Sequence, residues 1–306
     1  MTAILQDIVS IFFVLILGYV GGKRNLFDQK QAAGLNHLAL NYCLPAVLFV
    51  SIATKSWDTL FSDTHMLVTA TIVLIGWYFI AFFVAMFVFK HDRREAGIAG
   101  LSAGAPTVGF LGMAVLLPLF GSSAALSVAV VAIVVNVLQI PLGMIFVAPA
   151  GGKPTDALFH ALKEPVVLAP ILGVIFVLIG IELPDIVKIP LSFIGHANSG
   201  VAVFAAGLVL SAHKFELDIE VGWNTLVKLV LMPATMLAIA MLLGVHGEKL
   251  EQLLLLSALP PAFSGVVIAG RFQTYFNQAA STVILSVVLF ALAAPAWIAV
   301  ARYVVG

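Results

Sequence analysis

The sequence predicts an all-α integral membrane protein with ten transmembrane helices, arranged as two inverted five-helix repeats. Three observations predict this class: an apolar composition, ten apolar stretches of spanning length, and matched motifs in the two halves. Of the 306 residues, 62% are hydrophobic and only 10% are charged, whereas a soluble domain carries about 25% charged residues. The formal net charge of zero also argues against a nucleic-acid-binding protein, which needs clustered basic residues.

Ten stretches of the chain meet the requirement of about 20 predominantly apolar residues for a membrane span. The predicted spans are 5–22, 33–54, 66–89, 95–119, 123–147, 160–180, 187–211, 223–244, 250–272 and 279–303. The first is a retained span rather than a cleaved signal, because Asp7 precedes it and Lys23 and Arg24 follow it, the reverse of the charge order in a signal peptide. No stretch remains for a soluble domain.

The positive residues predict the orientation of the chain. Four lie in the connections after even-numbered spans or at the C-terminal end: Lys55, Lys188, Lys249 and Arg302. Eleven lie after odd-numbered spans: Lys23, Arg24, Lys30, Lys90, Arg93, Arg94, Lys153, Lys163, Lys214, Lys228 and Arg271. Because Lys and Arg accumulate on the cytoplasmic side, the odd-numbered connections are predicted to be cytoplasmic and both termini external. Without Lys163 and Lys228, which lie close to helix ends, the ratio is nine to four.

The two halves of the chain share motifs at a nearly constant offset. The segment 16–20 resembles 171–175, 155 residues later, and Ala105-Pro106 and Leu259-Pro260 lie 154 residues apart. Since each half holds five spans, an odd number, the halves must be inverted relative to each other. The predicted organisation is a first five-helix repeat at 1–150, a Gly/Pro-containing linker at 151–156 and a second, inverted repeat at 157–306. Inverted repeats are typical of secondary transporters.

Two spans contain helix breakers at their midpoints. Span 4 contains GAPTVGFLG (104–112), and span 9 contains LPPAFSG (259–265). Proline removes an amide donor and clashes with the preceding turn, and the freed backbone groups are tolerated at this depth only where they line a cavity or are covered by protein. Discontinuous helices in corresponding positions point to a binding site, and their half-helix N-termini suit an anion. The alternative, that each proline merely kinks its helix, accounts less well for the matched positions.

The polar residues predicted at membrane depth are neutral. No Asp or Glu falls in the middle of a span, which argues against a carboxylate proton relay and against a cation substrate. The candidate side chains are Asn41, its repeat counterpart His196, and the pair Asn136 and Gln139, three residues apart on one helix face. His196 could pair with an anion or carry a coupling proton, or be a neutral residue satisfied by a neighbouring helix. The amides could equally hold helices together.

The remaining patterns argue against an enzyme or a cofactor-binding protein. Gly18, Gly21 and Gly22 predict close helix packing rather than a nucleotide loop. The single cysteine, Cys43, excludes disulfides within the chain and thiolate metal clusters. A membrane enzyme would need a nucleophile beside a base, or carboxylates at a metal, and neither stands out at membrane depth. A receptor would need an output domain, for which no segment remains.

These motifs resemble the auxin efflux carrier family over essentially the whole chain. The matching stretches are LNHLALNYCLPAVLF (35–49), SAGAPTVGFLGMAVLLPLFG (102–121), NVLQIPLG (136–143) and SALPPAFSGVVIAGRF (257–272). The last, together with AASTVILS (279–286), looks most like the malonate-carrier branch. The resemblance implies an NhaA-like arrangement of ten helices with external termini, crossing of the broken spans 4 and 9, elevator-type movement against a scaffold, and homodimerisation through that scaffold.

The sequence departs from the family pattern just after the break in span 4. Relatives often carry N-x-G-[FY]-x-G-x-P there, whereas this chain has Thr107 in place of the asparagine and Ala114 in place of the proline. A threonine hydroxyl can still donate a hydrogen bond to a carboxylate.

The residues and the resemblance together predict a secondary active transporter of a small carboxylate, malonate first, in a bacterial inner membrane. The expected site combines backbone at the breaks with neutral side chains: Asn41, Pro106, Thr107, Gly109, Asn136, Gln139, His196, Pro260, Pro261 and Ser264. No metal or organic cofactor is expected. A coupling H⁺ or Na⁺ would offset the cost of desolvating an anion in a pocket without a fixed cation. A uniporter or exporter of another organic acid, either an auxin-like weak acid or another dicarboxylate, remains the alternative.

Overall fold

The computed structural model describes residues 2–55, 64–147, 163, 165–212 and 216–305, and most of these residues are helical. In chain order the helical elements are α1 (Thr2–Lys23), α2 (Gln29–Leu38), a π-helical segment (Ala39–Cys43), α3 (Leu44–Ala53), α4 (Thr64–Phe87), α5 (Arg93–Gly104), a π-helical segment (Val108–Gly112), α6 (Met113–Phe120), a 3₁₀ turn (Gly121–Ser123), α7 (Ala124–Ile133), a π-helical segment (Val134–Gln139), α8 (Ile140–Val147), α9 (Pro165–Leu178), α10 (Asp185–Ala212), α11 (Ile219–Leu226), a π-helical segment (Val227–Leu231), α12 (Met232–Leu242), α13 (Glu248–Ala258), α14 (Phe263–Phe272) and α15 (Phe276–Val305).

Apart from the two breaks and the last one or two residues of some spans, the predicted spans fall on helical residues wherever the structure describes them. The linker predicted at 151–156 and the first residues of the span 160–180 lie outside the described residues. Four described segments are long and apolar enough to cross a membrane on their own: Thr64–Phe87, Leu126–Val147, Ile219–Leu242 and Phe276–Val304. The all-helical class is therefore confirmed, with several helices of membrane-spanning character.

Aspartate caps fix where two of the helices begin. The Asp92 carboxylate accepts from the Glu95 amide at 2.8 Å, and the Glu95 carboxylate accepts from the Asp92 amide at 3.3 Å, a reciprocal capping box that starts α5. Asp218 similarly accepts from the amide of Val221 at 2.7 Å, so α11 begins at Ile219, four residues before the predicted start of that span. The earlier start places every later residue of this helix four positions further from the helix start than predicted.

The helices pack in two groups. In one group α1 runs along α10 and α3 runs along α9, with α2 and α3 also against α10. The other group contains α4 to α8 and α11 to α15, in which α4 packs along α5, α12 along α13 and α13 along α15. Both interrupted spans, α5 with α6 and α13 with α14, belong to the second group, so the candidate site is built there.

Glycines bring the backbones of α1 and α10 into direct contact. A Cβ atom on Gly18 would overlap the carbonyl oxygen of Phe204 and lie 3.2 Å from the Cα of Gly207, and one on Gly207 would overlap the carbonyl oxygen of Leu15. Small residues spaced four apart commonly permit this approach between membrane helices. The prediction that the glycines of the first span serve close packing is confirmed for Gly18.

Candidate functional site

The two broken helices cross and touch at their interruptions. α5 ends at Gly104 and α13 at Ala258, and each is followed by extended residues. Pro106 and Pro261 form an antiparallel bridge. The amide of Thr107 donates to the Pro260 carbonyl at 2.9 Å, and the amide of Ala262 donates to the Ala105 carbonyl at 2.8 Å. The predicted breaks in spans 4 and 9 are thus confirmed, and they face each other.

The paired prolines explain why the second helix stops here. An α-helical carbonyl accepts from the amide four residues later, so Pro260 and Pro261, which have no amide hydrogen, leave the carbonyls of Leu256 and Ser257 without that donor. The chain then restarts as α14 at Phe263. The first amides of a new helix have no partner within it and carry partial positive charge. The crossing therefore brings two helix N-termini close to two helix C-termini.

Side chains from neighbouring helices cap the two C-termini at the crossing. Gln139 is fully buried, and its Nε2 donates to the carbonyls of Gly104 and Leu74, both at 2.8 Å. Lys228 is also fully buried, and its Nζ donates to the Ser257 carbonyl at 2.6 Å. Gln139 thus caps α5 with a neutral amide, whereas Lys228 caps α13 with a group that can carry a charge.

Lys228 corrects two sequence-based expectations. It is the tenth residue of the segment Ile219–Leu242, which places it about 14 Å along the helix, and it does not belong to a connection between spans. The charge distribution becomes ten to four after this one residue is removed from the eleven. The expectation that the polar side chains at membrane depth are all neutral groups also omitted this buried, titratable amine. The Asp218 cap was the signal in the sequence that could have revealed this depth.

Thr107 and Ser264 lie where the second halves of the broken helices begin. Thr107 is 2% exposed, and its hydroxyl has no hydrogen-bond partner within the part of the chain that the structure describes. Leaving such a group buried and unsatisfied costs about 1–3 kcal/mol, so a bound ligand would gain by supplying the missing partner. Ser264 is half-buried in the first turn of α14, and Gly109 lies in the first turn after Thr107. The crossing therefore brings together six of the predicted residues: Pro106, Thr107, Gly109, Pro260, Pro261 and Ser264.

The other predicted site residues lie elsewhere or are already engaged. Asn41 is half-buried, and its amide nitrogen donates to the His37 carbonyl at 3.0 Å within its own helical run. Asn136 is buried in the same π-helical segment as Gln139. His196 is exposed on α10, and it has no hydrogen bond or ion pair to the described residues. The geometry favours the helix-bracing interpretation for Gln139 and leaves the binding roles of Asn41, Asn136 and His196 as predictions.

Comparison with known proteins decides the family. Residues 3–298 match the family described as membrane transport protein, which corresponds to the resemblance stated above. The chain belongs to the auxin efflux carrier family. It is 42% identical to the uncharacterized transporter YfdV of Escherichia coli K12, over 99% of both chains.

More distant relatives extend over nearly the same length. A candidate malonate transporter of Rhizobium meliloti is 22% identical over 92% of this chain and 91% of its own. An uncharacterized transporter of Methanocaldococcus jannaschii is 24% identical over 95% of this chain and 97% of its own. The family and these relatives indicate a transporter rather than an enzyme.

The structure also places a polar cluster in this auxin efflux carrier family member that the sequence did not predict. His91 lies between two carboxylates, with Nδ1 2.8 Å from Glu95 Oε2 and Nε2 2.6 Å from Glu220 Oε2. The Tyr275 hydroxyl donates to Glu220 Oε1 at 2.6 Å, and Asn224 Nδ2 donates to that hydroxyl at 2.9 Å. The cluster joins the connection before α5, the start of α11 and the connection after α14. It therefore ties both broken helices to α11 at one end of the bundle.

The carboxylates change the acid–base behaviour of this cluster. Burial lowers the pKa of His91, but the hydrogen bonds and charges of Glu220 and Glu95 outweigh it, so the pKa lies above the ordinary value of 6.5. Burial and the charge of Glu220 hold the pKa of Tyr275 well above its usual range. The tyrosine therefore remains a protonated hydrogen-bond donor to Glu220 throughout the neutral range.

We expect the stability of the transporter to fall as the pH rises through the folded-state pKa of His91. Because that pKa is raised on folding, the contribution of protonated His91 is complete below about pH 6.5 and is lost above the folded-state value. Thermal unfolding in detergent between about pH 6 and pH 9 measures this effect. A His91→Gln variant should lose this part of the pH dependence, and an unchanged slope in that variant would contradict the assignment.

Proposed function

We propose that this family member is a secondary active transporter of small carboxylates, with malonate as the first candidate, in a bacterial inner membrane. The observation that carries the proposal is the Pro106–Pro261 bridge, which places two helix N-termini beside the unsatisfied Thr107 hydroxyl. Amides at a helix N-terminus bind carboxylates and phosphates because both the hydrogen bonds and the helix dipole favour negative charge. The likeness to the Rhizobium meliloti candidate malonate transporter supports a dicarboxylate within this class.

In this proposal the substrate carboxylate lies between the starts of the two second half-helices. Its oxygens accept hydrogen bonds from the hydroxyls of Thr107 and Ser264 and from backbone amides in the first turns after the breaks. The amides of Thr107, Val108 and Ala262 are not among them, because they already donate to carbonyls. Such charge-assisted bonds are short, about 2.7–2.9 Å between nitrogen and oxygen. A carboxylate therefore supplies the partner that the Thr107 hydroxyl lacks.

The proposed architecture is that of two inverted five-helix repeats, 1–150 and 157–306, with ten spans and both termini outside the cytoplasm. The separation of the helices into two packed groups supports an NhaA-like, elevator-type mechanism. The group built on α1, α3, α9 and α10 would act as the scaffold and the dimer interface. The group that contains the crossing would carry the substrate across the membrane.

Uptake into proteoliposomes tests the proposed function. Purified protein is reconstituted, and accumulation of labelled malonate, oxalate, succinate and lactate is measured with and without imposed H⁺ and Na⁺ gradients. We expect accumulation of at least one dicarboxylate above its equilibrium level, with malonate the best substrate or competitor. Failure to accumulate any of these acids would overturn the proposal. Equilibration that ignores every imposed ion gradient would favour the uniporter or exporter alternative.

We expect Thr107→Val to raise the KM for the transported carboxylate about tenfold or more, because a hydrogen bond to a charged ligand contributes about 1.5–3 kcal/mol. Folding should be unaffected or slightly improved, since the variant removes an unsatisfied buried hydroxyl. Uptake kinetics and thermal unfolding measure the two effects.

The matched control for this substitution is Thr69→Val. Thr69 is also fully buried, but its hydroxyl donates to the His65 carbonyl within its own helix at 2.7 Å. Its replacement should leave the KM within about twofold. If both valine variants transport alike, Thr107 has no part in binding.

A further inference from the structure

A lysine is enclosed at the middle of a membrane helix without an acidic partner. Lys228 has no exposed surface, and its Nζ contacts the Ser257 carbonyl at 2.6 Å and Met232 Sδ at 3.4 Å. The ion pairs formed within the described residues involve His91 and Lys188 instead. An ionisable group at this depth is costly to charge and normally marks a functional path, so this amine requires an explanation beyond packing.

The local backbone explains why a cation fits at this position. Pro261 cannot supply an amide to the Ser257 carbonyl, and this carbonyl lies in the last turn of α13, where the helix dipole is negative. In sodium-coupled transporters with broken helices, carbonyls and C-terminal ends of half-helices of this kind coordinate the Na⁺. Here the Lys228 amine donates to a carbonyl of this kind, that of Ser257.

The two C-terminal caps of the crossing therefore differ in charge. Gln139 satisfies the end of α5 with a neutral amide, whereas Lys228 satisfies the end of α13 with an amine that can be protonated. Pro260 follows Ser257 by three positions, so the two Cα atoms lie at most about 11 Å apart. With Lys228 protonated, an ammonium at the end of α13 adds its charge to the partial positive charges of the two helix N-termini, and no carboxylate among the described residues pairs with that ammonium.

We propose that Lys228 is the built-in counter-charge for the substrate anion and takes the place of a coupling sodium ion. The inference rests on the proposed carboxylate transport and adds which group of the protein balances the negative charge of the substrate. The ammonium stabilises the substrate anion electrostatically from the end of α13, without direct contact with the substrate. Binding of carboxylates is then independent of Na⁺, and dianions depend on Lys228 more strongly than monoanions do.

Sodium replacement tests the first half of the proposal on the wild-type protein. Uptake of labelled malonate, and of whichever acid in the panel is taken up fastest, is measured with Na⁺ replaced by choline at constant pH and membrane potential. The KM should stay within about twofold. A tenfold or greater rise in KM without Na⁺ would overturn the proposal, because the site would then need the ion that Lys228 is proposed to replace.

Charge substitution tests the second half. Lys228→Gln should raise the KM for a dianion such as malonate at least tenfold and that for the monoanion lactate by a smaller factor, while Lys228→Arg should retain most of the dianion affinity. A purely structural role would weaken both anions equally. The matched control is Lys188→Gln, which removes an exposed lysine 3.9 Å from Asp185 and should change neither KM.

The outcomes separate this inference from the proposed function. If the wild type takes up none of the acids, the proposed function fails and the inference falls with it. If the wild type transports but Lys228→Gln shows an unchanged KM, or an equal loss for both anions, only the Lys228 inference is overturned. If Lys228→Gln does not fold, as thermal unfolding would show, the arginine variant and the sodium replacement still decide the question.

Discussion

Replacing Pro260 and Pro261 together with alanine is expected to abolish transport, with uptake reduced at least about 100-fold, while the protein still folds. Each proline in a helix interior costs about 3 kcal/mol relative to alanine, and the two alanines restore the amides that the Leu256 and Ser257 carbonyls lack. The chain from 248 to 272 can then run as one helix. The extended segment, the bridge to Pro106 and the N-terminus of α14 disappear together. Uptake in proteoliposomes and thermal unfolding measure the two effects.

The control for this variant is Pro295→Ala. Pro295 lies inside α15, which continues unbroken from Phe276 to Val305, so its replacement changes no helix end and should leave uptake within a few-fold of the wild type. Near-normal transport by the double alanine variant would show that the break is not required for binding. An unfolded double variant would contradict the expected gain in helix stability.

Gly18→Ala is expected to cause the largest loss of stability among the single substitutions considered. The new methyl group would overlap the Phe204 carbonyl oxygen and press on Gly207. Backbone atoms cannot rotate away as a side chain can, so α1 and α10 must separate. Overpacking typically costs about 1–3 kcal/mol and occasionally more, and we expect the upper end of this range. A markedly lowered melting temperature in detergent, with less folded protein recovered, measures the effect.

Gly200→Ala provides the comparison on the same helix. A Cβ atom at Gly200 meets nothing within 4 Å, and alanine favours a helix over glycine by about 1 kcal/mol. This variant should be at least as stable as the wild type. Equal melting temperatures for the two alanine variants would mean that the α1–α10 contact does not constrain the fold.

The fold was predictable where local chemistry determines it. The breaks at Pro106 and at Pro260-Pro261 follow from missing amides, a property of the residues themselves, and the structure places both interruptions as predicted. The glycine contact of α1 was also predictable from the residues themselves, because small residues in membrane helices commonly allow two backbones to approach closely. The long apolar runs predicted the helices to within a few residues.

The site was less predictable because its polar groups are used across long sequence separations. Gln139 has a side chain suited to a ligand, yet its amide nitrogen is bound by the carbonyls of Leu74 and Gly104, a pairing set only by how three helices pack. From the sequence, Lys228 was predicted to lie near a helix end. In the structure the Asp218 cap starts the helix at Ile219, so Lys228 is the tenth residue of its helical segment. The π-helical segments, such as Val227–Leu231, share no residue pattern that would have predicted them from the sequence.

The bridge at the crossing consists of main-chain atoms alone. It requires an N–H group at positions 107 and 262 and carbonyls at 105 and 260. Every amino acid except proline supplies the backbone N–H group. Apart from the prolines that break the helices, side chains around it can therefore be exchanged without dismantling the frame that holds the two helix ends together. If the proposed site is correct, a change of substrate would need only to alter groups such as the Thr107 hydroxyl, and new specificities would arise by single substitutions on an unchanged backbone.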